Sequence, residues 1–165
     1  SPFQFFRLRP PNFPTIRLSQ LANVYHLHQN VFSKVIASDS VADIYKLFSV
    51  STSPFWESHY TFDKVSSARK KHITKSFVDL LLINTIIPLK FCYAKQQGKS
   101  IEEEIVNLMQ QLNPEKNGIV DKFASLKVVS ESALESQAII QLKNLYCDKN
   151  RCLKCAIGNT ILAQN

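Results

Sequence analysis

Hydrophobic side chains in this sequence recur at three- and four-residue spacing, a period that predicts helices along most of its length. Ile16, Leu18, Leu21, Val24, Tyr25 and Leu27 form a first helical stripe, with Thr15 as its N-cap. Val31, Phe32, Val35 and Ile36 continue it in a short second helix. Ser40-Val-Ala-Asp43 is a variant capping box for a third helix, which carries Ile44, Leu47 and Phe48. The longest helix is expected over 74–97, through Phe77, Leu80, Leu81, Ile83, Ile86, Ile87 and Phe91. Being apolar on nearly every side, it belongs at the centre of the domain. Pro88 should kink or split it, because proline lacks the N–H that a helix interior needs. Asp79 and Asn84 fall in the same stretch and require hydrogen-bond partners if buried, and an arginine of the opening segment would serve Asp79. Gly98 ends this helix, and Ser100-Ile-Glu-Glu103 opens another with a full capping box, running to Leu112. After a turn over 113–118, a short helix over 119–125, a long one over 130–146 and a terminal one over 156–162 complete the series.

Two stretches escape this period. In the opening segment Pro10, Pro11 and Pro14 remove backbone donors and push their predecessors to extended geometry. Phe3, Phe5, Phe6 and Phe13 would pack this segment along the body. Arg7, Arg9 and Arg17 would then line a rim, either pairing with acidic side chains or gripping phosphates. The second stretch, Ser49 to Asp63, is a connection rich in serine and aromatics. Its Phe55, Trp56, Tyr60 and Phe62 are either pinned to the core or a stacking platform for bases, and loop aromatics more often bury themselves. No stretch shows strand alternation and there is no repeat. The fold class is therefore all-α: one domain over 1–165, an irregular multi-helix bundle with an extended Pro-rich N-terminal segment and a C-terminal cysteine knuckle.

Composition adds two constraints. With 45% hydrophobic residues, 20% charged residues and three glycines, this is a folded chain and not a loop-rich β architecture. Its net charge of +7 favours an acidic partner, nucleic acid first and anionic lipid second. The densest basic run, Arg69-Lys-Lys-His72, is the best single patch for a phosphate backbone, with a solvated helix end as the plain alternative. There is no signal peptide, and the apolar run from Phe77 to Phe91 is broken by Asp79, Asn84 and Lys90, so it reads as a core helix and not a membrane span. Four cysteines clustered three-to-one in a basic chain suggest a reducing cytoplasm and metal or free thiols, and the missing initiator methionine suggests part of a longer chain.

Three of four cysteines, Cys147, Cys152 and Cys155, form a C-x4-C-x2-C array near the end. Thiols at this spacing can turn onto one centre, and Lys149, Arg151 and Lys154 would favour the metal-binding thiolates. Apolar packing of reduced cysteines, a structural zinc and an iron–sulfur cluster all remain open. A fourth ligand is lacking: Cys92 is distant, His26 and His28 project to opposite sides of a helix, and His59 and His72 stand apart. A partner domain could complete the set.

Arg7-Leu-Arg-Pro-Pro-Asn-Phe-Pro-Thr-Ile-Arg17, Trp56-x-x-His-Tyr-x-Phe62, Leu82-Ile-Asn-Thr-Ile-Ile-Pro88, Ser136-Gln-Ala-Ile-Ile-Gln-Leu142 and Tyr146-Cys…Cys-Leu-x-Cys-Ala-Ile-Gly158 together resemble a known family. It is an uncharacterised bacterial family filed as a domain of unknown function, and the likeness is to its C-terminal half. In full-length members the preceding part looks similar to the PD-(D/E)xK nuclease fold, whose acidic residues and lysine would hold magnesium; none of those residues is present here. The resemblance implies a helical partner of a nuclease-like domain. It also implies a route to a cluster, since some nucleases of that superfamily use three closely spaced C-terminal cysteines and one remote cysteine. Cys147, Cys152 and Cys155 would play the triple, at a spacing that departs from that pattern.

Two functional readings follow. In the first, the chain is a nucleic-acid-associated helical module in which Arg7, Arg9, Arg17, Arg69, Lys70 and Lys71 contact phosphates. Cys147, Cys152 and Cys155 would hold the zinc or iron–sulfur cluster. In the second it is a structural or protein-interaction domain with neither metal nor nucleic acid. A free-standing enzyme has least support: no Ser/His/Asp set, phosphate loop or paired carboxylates emerge, and Asp79 alone would merit testing.

Overall fold

Pro14 starts the first long helix, α1 (Pro14–Leu27), because a first-turn residue has no intrahelical donor to lose. Thr15 is therefore one residue inside the helix and is not its cap. Its hydroxyl instead donates to the Tyr60 carbonyl at 2.7 Å. In this computed structural model, which describes Gln4, Phe5 and residues 7–163, the chain forms two compact units, one up to Tyr93 and the other from Ala94. Phe3 and Phe6 lie outside the described residues. The Pro-rich opening is not extended throughout, since Pro10–Asn12 closes a 3-10 turn. Phe5 packs on Phe13 within the segment, with ring centroids 4.7 Å apart, and Phe13 meets the body edge-on at Tyr60, 6.1 Å away.

α1 turns inward a mixed face that keeps only part of its apolar stripe. Thr15, Ile16, Ser19, Gln20 and Val24 are buried, whereas Leu18, Leu21, Tyr25 and Leu27 are exposed. The buried polar side chains serve the backbone of the segment over 51–71. Asn23 donates to the Ser51 carbonyl (2.7 Å), Ser19 accepts from the Ser53 N–H (3.1 Å) and Gln20 donates to the Lys71 carbonyl (3.0 Å). Each bond answers a backbone group that burial would otherwise leave unsatisfied.

That segment leaves the core after Val50 and returns at Ile73, closed by the Ile73 N–H to Val50 carbonyl bond (2.9 Å) and a bridge between Ser51 and His72. It holds a single helical turn, α4 (Pro54–Glu57), and a small antiparallel hairpin, β1 (His59–Thr61) and β2 (Lys64–Val65), with Thr61 opposite Lys64. The hairpin is the one departure from all-α architecture among the described residues. Strands this short carry too few positions to show alternation.

Between α1 and this segment lie α2 (Val31–Ala37) and α3 (Val41–Leu47). The Ser40 cap forms as its spacing predicts: its hydroxyl accepts from the Asp43 N–H and donates to the Asp43 carboxylate. Thr74 caps α5 (Lys75–Leu81), which runs through a π turn (Leu82–Ile86) into α6 (Ile87–Gln96). Pro88 does not split this helix. The Ile87 N–H reaches back to the Leu82 carbonyl, five residues away, and the widened turn relieves the crowding a proline ring causes. The helix is one-faced: Val78, Leu82, Ile83, Ile86, Ile87 and Lys90 are buried, while Leu80, Asn84, Leu89 and Phe91 are exposed. By length and composition the 22 residues Lys75–Gln96 could cross a membrane, and 39% of their most apolar stretch is buried within the chain.

Asp79 pairs with Tyr45, not with an arginine: the Tyr45 hydroxyl donates to its carboxylate at 2.5 Å. Asn84 needs no core partner, because it is exposed and donates to the Leu80 carbonyl. The buried Lys90 amine donates to the carbonyls of Ile36 (2.9 Å) and Ser38 (2.6 Å), satisfying acceptors at the end of α2.

The second unit comprises α7 (Glu102–Gln111), α8 (Gly118–Ser125), α9 (Ala133–Leu142), a π turn (Lys143–Cys147) and α10 (Ala156–Ala163). The capping box expected at Ser100 is not formed. Ile101 occupies the N-cap and the Ser100 hydroxyl donates to the Glu102 carboxylate. Asn117 and Ser132 cap α8 and α9, so α9 begins at Ala133 and not at residue 130. Its fully buried Ser136 accepts from the Glu115 N–H and donates to the Ala133 carbonyl, pinning the preceding turn over the core of Leu108, Met109, Leu112 and Val120.

Two stability predictions follow. Lys90→Ala leaves buried carbonyls without a donor and should lower the unfolding free energy by about 3 kcal/mol in chemical denaturation; a change below about 0.5 kcal/mol would mean that water replaces the amine. Burial first, and the Asp79 carboxylate second, push the Tyr45 phenol up to about 12. Since the folded-state value is raised, this pair's stabilisation is complete below the ordinary value near 10 and is lost as pH climbs towards about 12. Tyr45→Phe should flatten that part of the alkaline unfolding curve.

Candidate nucleic-acid interface

The return of the chain along α1 gathers Arg17, Gln20, Arg69, Lys70, Lys71 and His72, with Pro11, Ile16 and Thr74, around a cleft of about 320 Å³. Four of the six cations singled out as phosphate contacts meet here, and no carboxylate lines the cleft. Arg7 and Arg9 are exposed on the segment leading into the 3-10 turn and lie outside the lining.

The four cations differ in what they can offer. Arg17 is held by the side chains of Gln20 (2.9 Å) and Asn12 (2.5 Å) and lies 3.4 Å from the Phe77 ring centroid. Its Nε is buried without a hydrogen-bond partner, and burial pushes its pKa below the ordinary arginine value. The Lys71 amine donates to the carbonyls of Trp56, Glu57 (2.7 Å) and His59 (3.3 Å) and sits 4.2 Å from the Tyr60 ring centroid. Burial first, then the Arg69 charge, lower its pKa, with Glu57 opposing. Lys71 is thus a brace that carries charge, because its donors are spent on backbone oxygens. Arg69 and Lys70 are exposed. Arg69 is steadied by a 2.5 Å bond to the Tyr60 hydroxyl, and His72 by one of 2.6 Å between its Nδ1 and Ser51 Oγ.

Gln20 and Thr74 also line the cleft and carry no charge signal in the sequence. The trace of Gln20 was its place three and four residues from Arg17 and Ile16, on the inward face of α1. Chemically, fixed cations held by neutral acceptors leave an unbalanced positive potential, which suits an anion with several oxygens.

The second unit places the cysteines elsewhere. Cys147, Cys152 and Cys155 border a cavity of about 600 Å³ whose other walls include Phe123, Val128, Ile139, Leu142 and Ile157. Among the described residues, no three His, Cys, Asp or Glu side chains are grouped to hold a metal ion. Cys147 and Cys152 are exposed, Cys155 is half-buried and Asp148 is taken by Lys143. Cys92 is exposed on α6 in the other unit. A closed tetrahedral site needs four converging donors, and the described residues of this unit do not group them. What the spacing does produce is a tight crossing: the Cys155 carbonyl accepts the opening bond of α10 from the Asn159 N–H (2.9 Å), and one turn in, a Cβ on Gly158 would overlap the Cys152 carbonyl. Gly158→Ala must therefore part α10 from the cysteine loop. We expect a loss of about 2 kcal/mol in stability, together with faster alkylation of Cys155 by iodoacetamide; unchanged stability and alkylation would refute the crossing.

No curated protein and no solved structure matches the chain. A family does, over residues 1–118, which take in the whole basic cleft and stop short of the cysteine loop. As that match covers well over half of the 165 residues, the chain belongs to the family described as a protein of unknown function (DUF2851).

Proposed function

We propose that this chain is a cytoplasmic, helical nucleic-acid-associated module, accessory to a nuclease-like domain of the full-length protein. The observation that carries the reading is the cleft where Arg17, Arg69, Lys70 and Lys71 converge without a carboxylate. Arg69 and Lys70 would meet phosphate oxygens directly, while Arg17 and Lys71 hold the walls and add to the potential. Contacts of this kind give affinity and register with little sequence choice. The nuclease association rests on the resemblance of the family's other half, and no catalytic role falls to residues of this chain.

One observation favours a second reading, a protein-interaction domain. The exposed Leu18, Leu21 and Tyr25 follow helical spacing along α1 and form an apolar face of the kind that partners cover.

Binding of a labelled oligonucleotide, followed by anisotropy across a salt series, tests the first reading. We expect the logarithm of affinity to fall linearly with the logarithm of salt, and Arg69→Gln or Lys70→Gln each to reduce that slope by about 1. Absent or salt-insensitive binding would refute it.

A further inference from the structure

We infer that the nucleic acid held at this cleft is single-stranded, with bases stacking on the exposed rings of the adjoining hairpin; the inference rests on the reading just proposed. Phe62 lies at the turn between β1 and β2 with 65% of its surface exposed, and Phe55 on α4 is 46% exposed. Two-residue hairpin turns ordinarily take Gly, Asn or Asp, so a phenylalanine there answers no need of the turn.

The rings are also fixed in orientation. Phe55 stacks on His59, with centroids 4.1 Å apart and planes 8° from parallel. Trp56 meets Phe62 edge-on at 5.1 Å and Phe55 at 5.0 Å. A pre-ordered aromatic surface loses little side-chain freedom when a base lies on it.

This platform and the cleft share one frame. The Lys71 amine that lines the cleft is bonded to the carbonyls of Trp56, Glu57 and His59, the Arg69 N–H donates to the Glu57 carbonyl (3.0 Å), and the Arg69 side chain bonds Tyr60. Cations that follow a backbone, set beside aromatic rings that keep exposed surface, are the combination that binds unpaired strands. Bases in a duplex are already stacked on one another and would leave Phe62 and Phe55 idle. Stacking also tolerates any base.

The test compares an oligothymidylate of about 16 nucleotides with a duplex of the same length, at two salt concentrations. An oligouridylate run in parallel shows which sugar is accepted. The intact chain should prefer the single strand and change its Trp56 emission on binding. Phe62→Ala, at an exposed position, should weaken single-strand binding about tenfold with the salt slope unchanged, and Phe62→Tyr should restore it. Arg69→Gln should weaken single strand and duplex alike. Equal, salt-dependent binding of both probes, untouched by Phe62→Ala, would overturn the stacking inference and leave the basic cleft standing. Loss of self-association in Phe62→Ala, with oligonucleotide affinity unchanged, would assign the rings to a protein contact and also overturn it. Binding of neither probe would remove the cleft reading itself.

Discussion

The first unit depends on the polar face that α1 turns inward. Between Ser51 and His72 the chain has one helical turn and five strand residues, so most of its backbone groups find no partner in regular structure. Burying such a segment against an apolar helix would strand those groups, each at a cost comparable to a lost hydrogen bond. Thr15, Ser19, Gln20 and Asn23 prevent this by reaching Tyr60, Ser53, Lys71 and Ser51 in turn. Thr15, Ser19 and Asn23 stand four residues apart with Gln20 beside Ser19, which places all four on one side of the helix, and the segment binds along the stretch from Thr15 to Asn23. Lys71 completes the set from the other side, gathering three carbonyls that α1 does not reach.

The same bonds make the cleft electropositive. A cation held by a carboxylate is neutralised; a cation held by carbonyls, amides and a phenol is not. Arg17 and Lys71 have neutral hydrogen-bond acceptors only, and the lowered pKa values of both show that burial works against their charges. An anion arriving at the cleft would relieve that penalty, adding to the partial counter-charge that Glu57 gives Lys71. The constraint that folds the segment therefore also leaves a site with an unmet electrostatic need.

Much of this was legible in the sequence, for identifiable reasons. Caps with a polar side chain at fixed offset, such as Ser40 with Asp43, were read correctly because the bond is local. The run Arg69 to His72 stood out as a charge cluster and proved to line the cleft. The inward face of α1 was legible only in part: Ile16 and Val24 are buried, but Leu18, Leu21, Tyr25 and Leu27 are not. Periodicity assumes that the apolar side of a helix is its inner side, and here tertiary bonds to backbone overrule it. The π turn at Leu82–Ile86 was hidden for a related reason: a proline signals that a helix must adjust, but not whether it bends, breaks or widens. The cysteine spacing brought the three thiols to the rim of one cavity, yet spacing alone could not tell thiols converging on a metal from thiols bordering an apolar cavity.

The formal charge of +7 needs a corresponding discount. Lys71 and Lys90 are buried braces for backbone carbonyls, Arg17 is partly withdrawn over Phe77, and Lys143 is neutralised by Asp148. These cations belong to the fold before they belong to any partner, so net charge overstates what an incoming phosphate can reach. The reading as a nucleic-acid module would be weak if it rested on that total. It rests on position: Arg69 and Lys70 are exposed at the mouth of a cleft whose walls are themselves positively charged, beside aromatic rings that the fold leaves uncovered.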